Sequence, residues 1–368
     1  MTGQAVRWID LRPREDATDV DAAIRRVVER GWFVLGPEVE GFEAEFTTAT
    51  RSEHTIAVAS GTDALTLTLR GLGIGAGDDV ITTALSAVFT AQAIMMAGAR
   101  PVFADIDPDR LTVDPAAVEA LVGPRTAAVI PVHVYGQPAD LPALAAVADR
   151  HGLALIEDCC QAHLATCGGI PVGTTGIAAA YSFYPTKNLG ALGDGGAVCT
   201  RDASLDARLR RLRNGGQTSR DHHTEPAAHS RLDEIQAAVL RARLPYLREW
   251  TTRRRALATR YRDGLREAPI RVPPESDPGH VYHLFPIRTA ARDRVRDHLR
   301  AQGIETLVHY PTPLPAQPAF ADMEPNHSPV AAAVCDELLS LPLYPSLTEA
   351  AVTRVVGAVA SSNIGVVP

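Results

Sequence analysis

The chain has 368 residues, 46% of them hydrophobic and 21% charged, with a formal net charge of −7. That is the composition of a globular protein and excludes a disordered or fibrous architecture. Arginines and acids are interspersed, which argues against a nucleic-acid partner. No apolar stretch reaches the roughly 18 residues of a membrane span and the N-terminus has no signal-peptide core, so no membrane partner is expected and the expected compartment is the cytoplasm.

From residue 55 short apolar runs alternate with amphipathic stretches, the signature of βαβ units. Strands are predicted at residues 55–59, 80–83, 101–106, 127–134, 154–157, 178–183 and 196–200. Helices are predicted to start after Thr62-Asp63, at Asp114-Pro115 and at Asp140-Leu141-Pro142. The strands are apolar on nearly every residue, as in a mostly parallel sheet covered by helices on both faces. Beyond residue 230 long helical patterns take over, one of them spanning 244–265, in which the run Arg253 to Arg255 reads as a solvated face. A Pro-rich segment at 273–279, a strand-like stretch at 283–287 and more helices follow. The expected organisation is α/β, with a large domain over residues 1–245 and a smaller C-terminal α+β domain over 246–368. Five cysteines (Cys159, Cys160, Cys167, Cys199, Cys335) form an odd set without metal-ligand spacing. They read as small core hydrophobes in a reducing compartment, and no metal is expected.

The chemistry starts from a compositional oddity. Of 36 basic residues thirty-five are arginine, and Lys187 is the single lysine. Arginine serves wherever only positive charge is needed, but an amine that must lose its proton cannot be replaced by it. Lys187 follows an apolar strand and precedes the glycine-rich run 188–197, whose glycines would let the backbone pass close to a bulky planar group.

Two other strand ends carry chemistry. Asp158 closes the run 154–157, at the carboxyl end where open α/β sheets bind ligands, and could hold a ring nitrogen protonated. An aspartate at a strand-to-helix turn is also a common helix cap, and spacing alone does not separate the two. The turn Ser60-Gly61-Thr62 opens a helix, where free N–H groups and the positive helix end favour a phosphate. The same turn caps helices in proteins without any ligand.

Together the segments GWFVLGPEVEGFEAEF (31–46), SGTDAL (60–65), EDCCQAH (157–163), SFYPTKNLG (182–190), GDGGA (193–197), SRLDEIQAA (230–238) and VHYPTPL (308–314) resemble the DegT/DnrJ/EryC1/StrS family of sugar aminotransferases. The resemblance implies the fold type I architecture, with a seven-stranded sheet. It also implies pyridoxal 5'-phosphate as cofactor, pyridoxamine phosphate as its amine-carrying form, and a homodimer with shared active sites. Lys187 would carry the cofactor as a Schiff base and move the proton, and Asp158 would pair with the ring nitrogen. Gln161 would bond the ring hydroxyl, while Gly61, Thr62 and Ser182 would hold the phosphate. His163, His309 and Tyr310 are candidate substrate-side groups. The sequence departs from the family pattern twice. His229 stands where an asparagine usually contacts the partner's cofactor phosphate, and Ala87 stands where an aromatic ring usually stacks on the cofactor.

The activity so implied is ping-pong transfer of an amine from an amino acid, L-glutamate by analogy, to a 3- or 4-keto group of a nucleotide-linked deoxysugar in secondary metabolism. Aminocyclitol aminotransferases share the constellation, and a non-catalytic cofactor-binding regulatory paralogue would keep the fold. Family dehydratases carry histidine in place of the lysine, and Lys187 argues against that branch.

Overall fold

The computed structural model describes residues 5–321, 323 and 327–362. Its N-terminal helices are α1 (Ala17–Arg30), closed by the left-handed Gly31, and α2 (Pro37–Thr50). The first amides of α2 are capped from 196 residues away. The buried Glu234 carboxylate accepts from the N–H groups of Gly36 (2.9 Å), Glu38 (2.9 Å) and Val39 (2.8 Å), placing negative charge at the positive end of the helix.

Strands and helices then alternate. They run β1 (His54–Val58), α3 (Gly61–Gly71), β2 (Asp79–Thr83), α4 (Phe89–Met96), β3 (Arg100–Ala104), α5 (Pro115–Ala120), β4 (Thr126–Ile130), α6 (Leu141–His151) and β5 (Ala154–Asp158). The short hairpin β6 (Thr166–Cys167) and β7 (Ile170–Pro171) precedes β8 (Ala178–Ser182), β9 (Gly196–Thr200) and α7 (Ala203–Leu212). Asp114 and Asp140 cap their helices as the sequence suggests, and α3 is capped by Ser60 of the turn read as opening it, two residues before Thr62, with Ser60 Oγ accepting from the Asp63 N–H at 3.0 Å.

The main sheet has seven strands in the order β1-β9-β8-β5-β4-β2-β3. β9 runs antiparallel to both neighbours and the remaining pairs are parallel. Both faces are buried, as the apolar strands require. Ile56, Val58, Ala178 and Ala180 pack with Leu65, Leu69, Leu205 and Leu209 on one face. Ala57, Ala179 and Tyr181 face Val39, Phe42 and Phe46 on the other.

After the short hairpin β10 (Gln217–Ser219) and β11 (His222–His223) come α8 (Glu234–Arg243) and α9 (Leu247–Gly264). A second core is built from α9, β12 (Phe285–Arg288), α10 (Arg292–Ala301), β13 (Leu338–Leu341) and α12 (Glu349–Ala360), with α11 (Pro329–Glu337) leading into β13. Val6 belongs to this second core: its N–H bonds the Gly303 carbonyl and its carbonyl accepts from Glu305, both at 2.9 Å. The first described residues, which chain order groups with the large sheet, therefore pack against the smaller unit.

The arginine run on α9 differs from its expected solvated face. Arg254 is buried, and its Nη1 donates to the carbonyls of Tyr282 (3.2 Å), His283 (3.3 Å) and Leu343 (2.9 Å). A helix packed between loops needs donors for their unpaired carbonyls, and the charge run hid that inward-facing position. No helix among the described residues is long and apolar enough to cross a membrane. The five cysteines are unpaired, and all but Cys160 are buried.

Candidate active site

Ser60, Asp158 and Ser182 lie at the carboxyl ends of β1, β5 and β8, which point the same way in the sheet, with the antiparallel β9 between β1 and β8. At the end of β1, Ser60 caps α3 and the amides of Gly61 and Thr62 have no partner among the described residues. The Thr62 hydroxyl has none either, and Ser182 stands opposite at the end of β8. This turn admits no side chain at Gly61: a Cβ there would lie 2.8 Å from both Cys160 Sγ and Ser182 Cβ. At Gly196, the first residue of β9, a Cβ would come within 2.3 Å of the Ser60 backbone. The glycine-rich run thus serves backbone-on-backbone packing at its tightest point, where the sequence suggested close approach to a planar ligand. The open amides, hydroxyls and positive helix end suit a phosphate.

Asp158, 4% exposed, ends β5. Its Oδ1 accepts from the Cys160 N–H at 3.1 Å and its Oδ2 from the Thr90 hydroxyl at 2.7 Å. No helix follows it, so the capping alternative does not hold. Gln161 Oε1 accepts from the Tyr135 N–H (2.7 Å), and Gln161 Nε2 donates to the Tyr310 hydroxyl (3.0 Å). The Tyr135 hydroxyl in turn donates to the His309 carbonyl at 2.5 Å. Gln161 thereby ties the large sheet to the segment carrying His309 and Tyr310.

Lys187 sits in a loop held by its own N–H to the Tyr184 carbonyl (2.8 Å) and by Ala191 N–H to the Phe183 carbonyl (2.8 Å). Asn188 Nδ2 anchors the loop to the Val281 carbonyl at 3.0 Å. Burial lowers the affinity of the Lys187 amine for its proton, opposed by nearby Cys160 and Asp158, which moves a lysine towards general-base use. The imidazoles around it are held neutral. Burial, then the Lys187 charge, pushes His163 down to about 3 and His309 to about 4, and holds His283 well below its usual value. Burial pushes the Tyr310 hydroxyl up to about 12.

His163 is 0% exposed and packs against Tyr181 and Phe183, with ring centroids at 5.7 Å from each. It offers no surface to a substrate, contrary to its expected substrate-side place, because the chain after β5 turns inward under the sheet edge. His309 and Tyr310 are half-buried at the cleft, with His309 Nδ1 at 3.0 Å from Ser340 Oγ and its ring stacked on Trp8 at 5.3 Å. His229 is exposed, its ring against the guanidinium of its own Arg231, which also bonds Asn214 Oδ1 at 3.1 Å. Ala87 lies in the turn before α4 and carries only a methyl group; Phe89, two residues on, is 58% exposed.

Behind the site, His133, Glu157 and Cys159 place three metal-capable atoms within 4.8 Å of one another. The His133 and Glu157 lone pairs are committed. Glu157 accepts from the amides of Gly173 (2.6 Å), Thr175 (2.8 Å) and Gly176 (2.9 Å). His133 Nδ1 accepts from the Ala139 N–H at 3.0 Å, leaving Nε2–H for Glu157 at 3.2 Å. Burial works to raise the Glu157 carboxyl, yet His133 and the amides hold it below its usual value. The cluster is a hydrogen-bonded brace under Asp158.

Residues 14–360 match the model of the DegT/DnrJ/EryC1/StrS aminotransferase family. The chain belongs to this family. It is 48% identical over 362 residues, 96% of this chain and 95% of the other, to dTDP-3-amino-3,4,6-trideoxy-alpha-D-glucose transaminase of Streptomyces venezuelae. The crystal structure of S. venezuelae DesV, in complex with a ketimine intermediate, superposes with a TM-score of 0.94 at 47% identity, covering 97% of this chain and 98% of that one. The structure of NtdA from Bacillus subtilis, with bound cofactor PMP, gives a TM-score of 0.89 at 29% identity, covering 98% of this chain and 87% of that one.

As a DegT/DnrJ/EryC1/StrS aminotransferase the chain shows two site residues that sequence reasoning missed. Thr90 is a hydroxyl in the first turn of the helix after a strand end, a position legible in principle. Tyr135 has its backbone in the left-handed region (φ 59°), which nothing in the pattern VHVYGQ signals.

Proposed function

We propose that the chain is a pyridoxal-phosphate-dependent transaminase that moves the amine of L-glutamate to the 3-keto group of a nucleotide-linked deoxysugar. The observation carrying the reading is the meeting of a proton-shedding Lys187, the doubly bonded Asp158 and the open α3 turn at one end of the sheet. Its closeness to a 3-amino-deoxysugar transaminase supports the choice of carbon.

When bound, pyridoxal phosphate supplies an electron sink and carries the amine between the two substrates. The turn amides of Gly61 and Thr62, with the Thr62 and Ser182 hydroxyls, would hold its phosphate. Asp158, with a donor on each oxygen, would pair with the ring nitrogen, and Gln161 would approach the ring hydroxyl. Lys187 Nζ takes the proton from the donor's α-carbon and returns it during transfer, a step worth about 10²–10⁴-fold. Burial, which lowers its proton affinity, shifts the amine towards its unprotonated form. The donor leaves as a 2-oxo acid and the ketone as an amine, so the exchange balances without an external oxidant.

We further propose a homodimer in which His229 approaches the partner's phosphate, supported by its exposure beside a fixed Arg231. The exposed Trp32, Phe33 and Phe89 give such a contact an apolar surface. The unpaired thiols suit a reducing cytoplasm.

The test is single turnover by the amine-loaded protein against nucleotide 3-keto sugars, nucleotide 4-keto sugars and cyclitol ketones. Conversion of a 3-keto sugar is expected. Preference for a cyclitol ketone, or conversion of none, would overturn the reading.

A further inference from the structure

Arg254 is 4% exposed, and its Nε is sealed from solvent without a hydrogen-bond partner. No carboxylate lies within ion-pair distance of it among the described residues. Burial alone pulls its pKa down to about 10. A buried cation with no counter-ion is costly, and protein sites rarely keep one without a use.

Arg254 lines a cavity of about 90 Å³ whose wall also includes Thr186, Lys187, Asn188, Arg243 and Tyr344. The acidic groups on that wall are already engaged. Asp10 takes Arg12 and Arg14, Asp16 takes Arg243 at 2.8 Å, and Glu15 takes Arg253 at 2.6 Å. Lys187 and Arg254 are left with no ion-pair partner, on the wall of one small cavity.

We propose that this cavity is a small-anion site in which Arg254 receives a carboxylate of the amino donor; the assignment rests on the transaminase reading above. A planar guanidinium without a counter-ion matches a carboxylate, and charge-assisted bonds to it are roughly twice as strong as neutral ones. The volume is well below the roughly 300 Å³ at which pockets begin to enclose drug-sized ligands, which favours a small anion. An anion bound here sits next to the loop that carries the reacting amine. The ketone substrate has no carboxylate to place there, so Arg254 serves one half-reaction and not the other.

Ping-pong chemistry lets the two halves be measured apart. Arg254→Met and Arg254→Lys are compared with the wild type in the glutamate half-reaction, followed by the visible spectrum of the loaded protein, and in the ketone half-reaction. In Arg254→Met the half-saturating glutamate concentration should rise by about tenfold or more, with a smaller rise in Arg254→Lys. The ketone half-reaction should slow by much less than the glutamate half-reaction, while the lost carbonyl bonds lower the thermal midpoint. Equal slowing of both halves would make Arg254 a structural staple and overturn the proposal, as would an unchanged glutamate half-reaction.

Because the substitutions remove three carbonyl bonds, wild-type crystals are also soaked in sodium bromide and in 2-oxoglutarate. Carboxylate density against Arg254 supports the proposal. Bromide there without 2-oxoglutarate assigns a free inorganic anion and overturns the donor assignment, and a cavity empty in both soaks overturns the site. Failure of the transaminase reading looks different: the wild type would not respond to glutamate at any concentration, while the bromide soak would be unaffected.

Discussion

Replacing Gly61 with alanine tests the phosphate turn on geometry. The added methyl would lie 2.8 Å from Cys160 Sγ and Ser182 Cβ and 3.3 Å from Ser182 Cα, where ordinary contact begins at 3.4 Å. Ser182 is fixed in β8 between two strands, so the start of α3 must move away by about 0.6 Å. Overpacking of this kind costs roughly 1–3 kcal/mol, and a shift of that size draws the open amides out of ideal hydrogen-bond range. Losing part of that cradle should weaken pyridoxal phosphate binding by about 10- to 100-fold, or roughly 1.4–2.8 kcal/mol. Pyridoxal, which lacks the phosphate, should bind Gly61→Ala and wild type alike. Equilibrium titration followed by visible absorbance measures both. Equal weakening for the two ligands, or no weakening, would refute the assignment of this turn to the phosphate.

Thr90→Val keeps the shape of a buried side chain and removes the hydroxyl bonded to Asp158 Oδ2. The bond is charge-assisted, worth about 1.5–3 kcal/mol, so stability at neutral pH should fall by about that much. The pH dependence of the bound cofactor's spectrum should shift, and Thr90→Ser should restore both; an unaltered spectrum would separate Thr90 from the site. A second expectation concerns acid. Burial first of all pulls His163 and His280 down to about 3 and His309 to about 4, so the unfolded chain binds more protons below about 6.5. Stability is full above that pH and is lost as pH falls towards 4, at up to about 1.4 kcal/mol per pH unit for each ring. Urea unfolding at pH 7 and pH 5 should show lower stability at pH 5, and equal midpoints would contradict the neutral burial of these rings.

The sheet was legible because its strands are apolar on both faces, and a two-faced burial pattern leaves few alternatives to a helix-covered parallel sheet. Lys187 stood out because it is the single lysine, whereas Asp158 and the Ser60-Gly61-Thr62 turn were equally readable as helix caps, an alternative that falls for Asp158 only because no helix follows β5. His163 was misplaced because its motif gives sequence position but not the inward turn of the chain after β5. Arg254 was misread because a run of three arginines cannot reveal which one faces three carbonyls from distant loops. Thr90, Tyr135 and the Glu234 cap depend on contacts between segments 26 to 198 residues apart, and no local pattern encodes such pairings. The pairing of Val6 with the strand-like segment near Ile304 is hidden for the same reason.

The central claim is that the single lysine of this chain forms the covalent link to the cofactor. Borohydride reduction of the pyridoxal-phosphate-loaded protein, followed by proteolysis and mass spectrometry, tests it directly, with Lys187→Arg as the control. One cofactor adduct per chain on the peptide containing Lys187, and none in the variant, is the result the account predicts. An adduct absent from that peptide in protein shown to be loaded would contradict it.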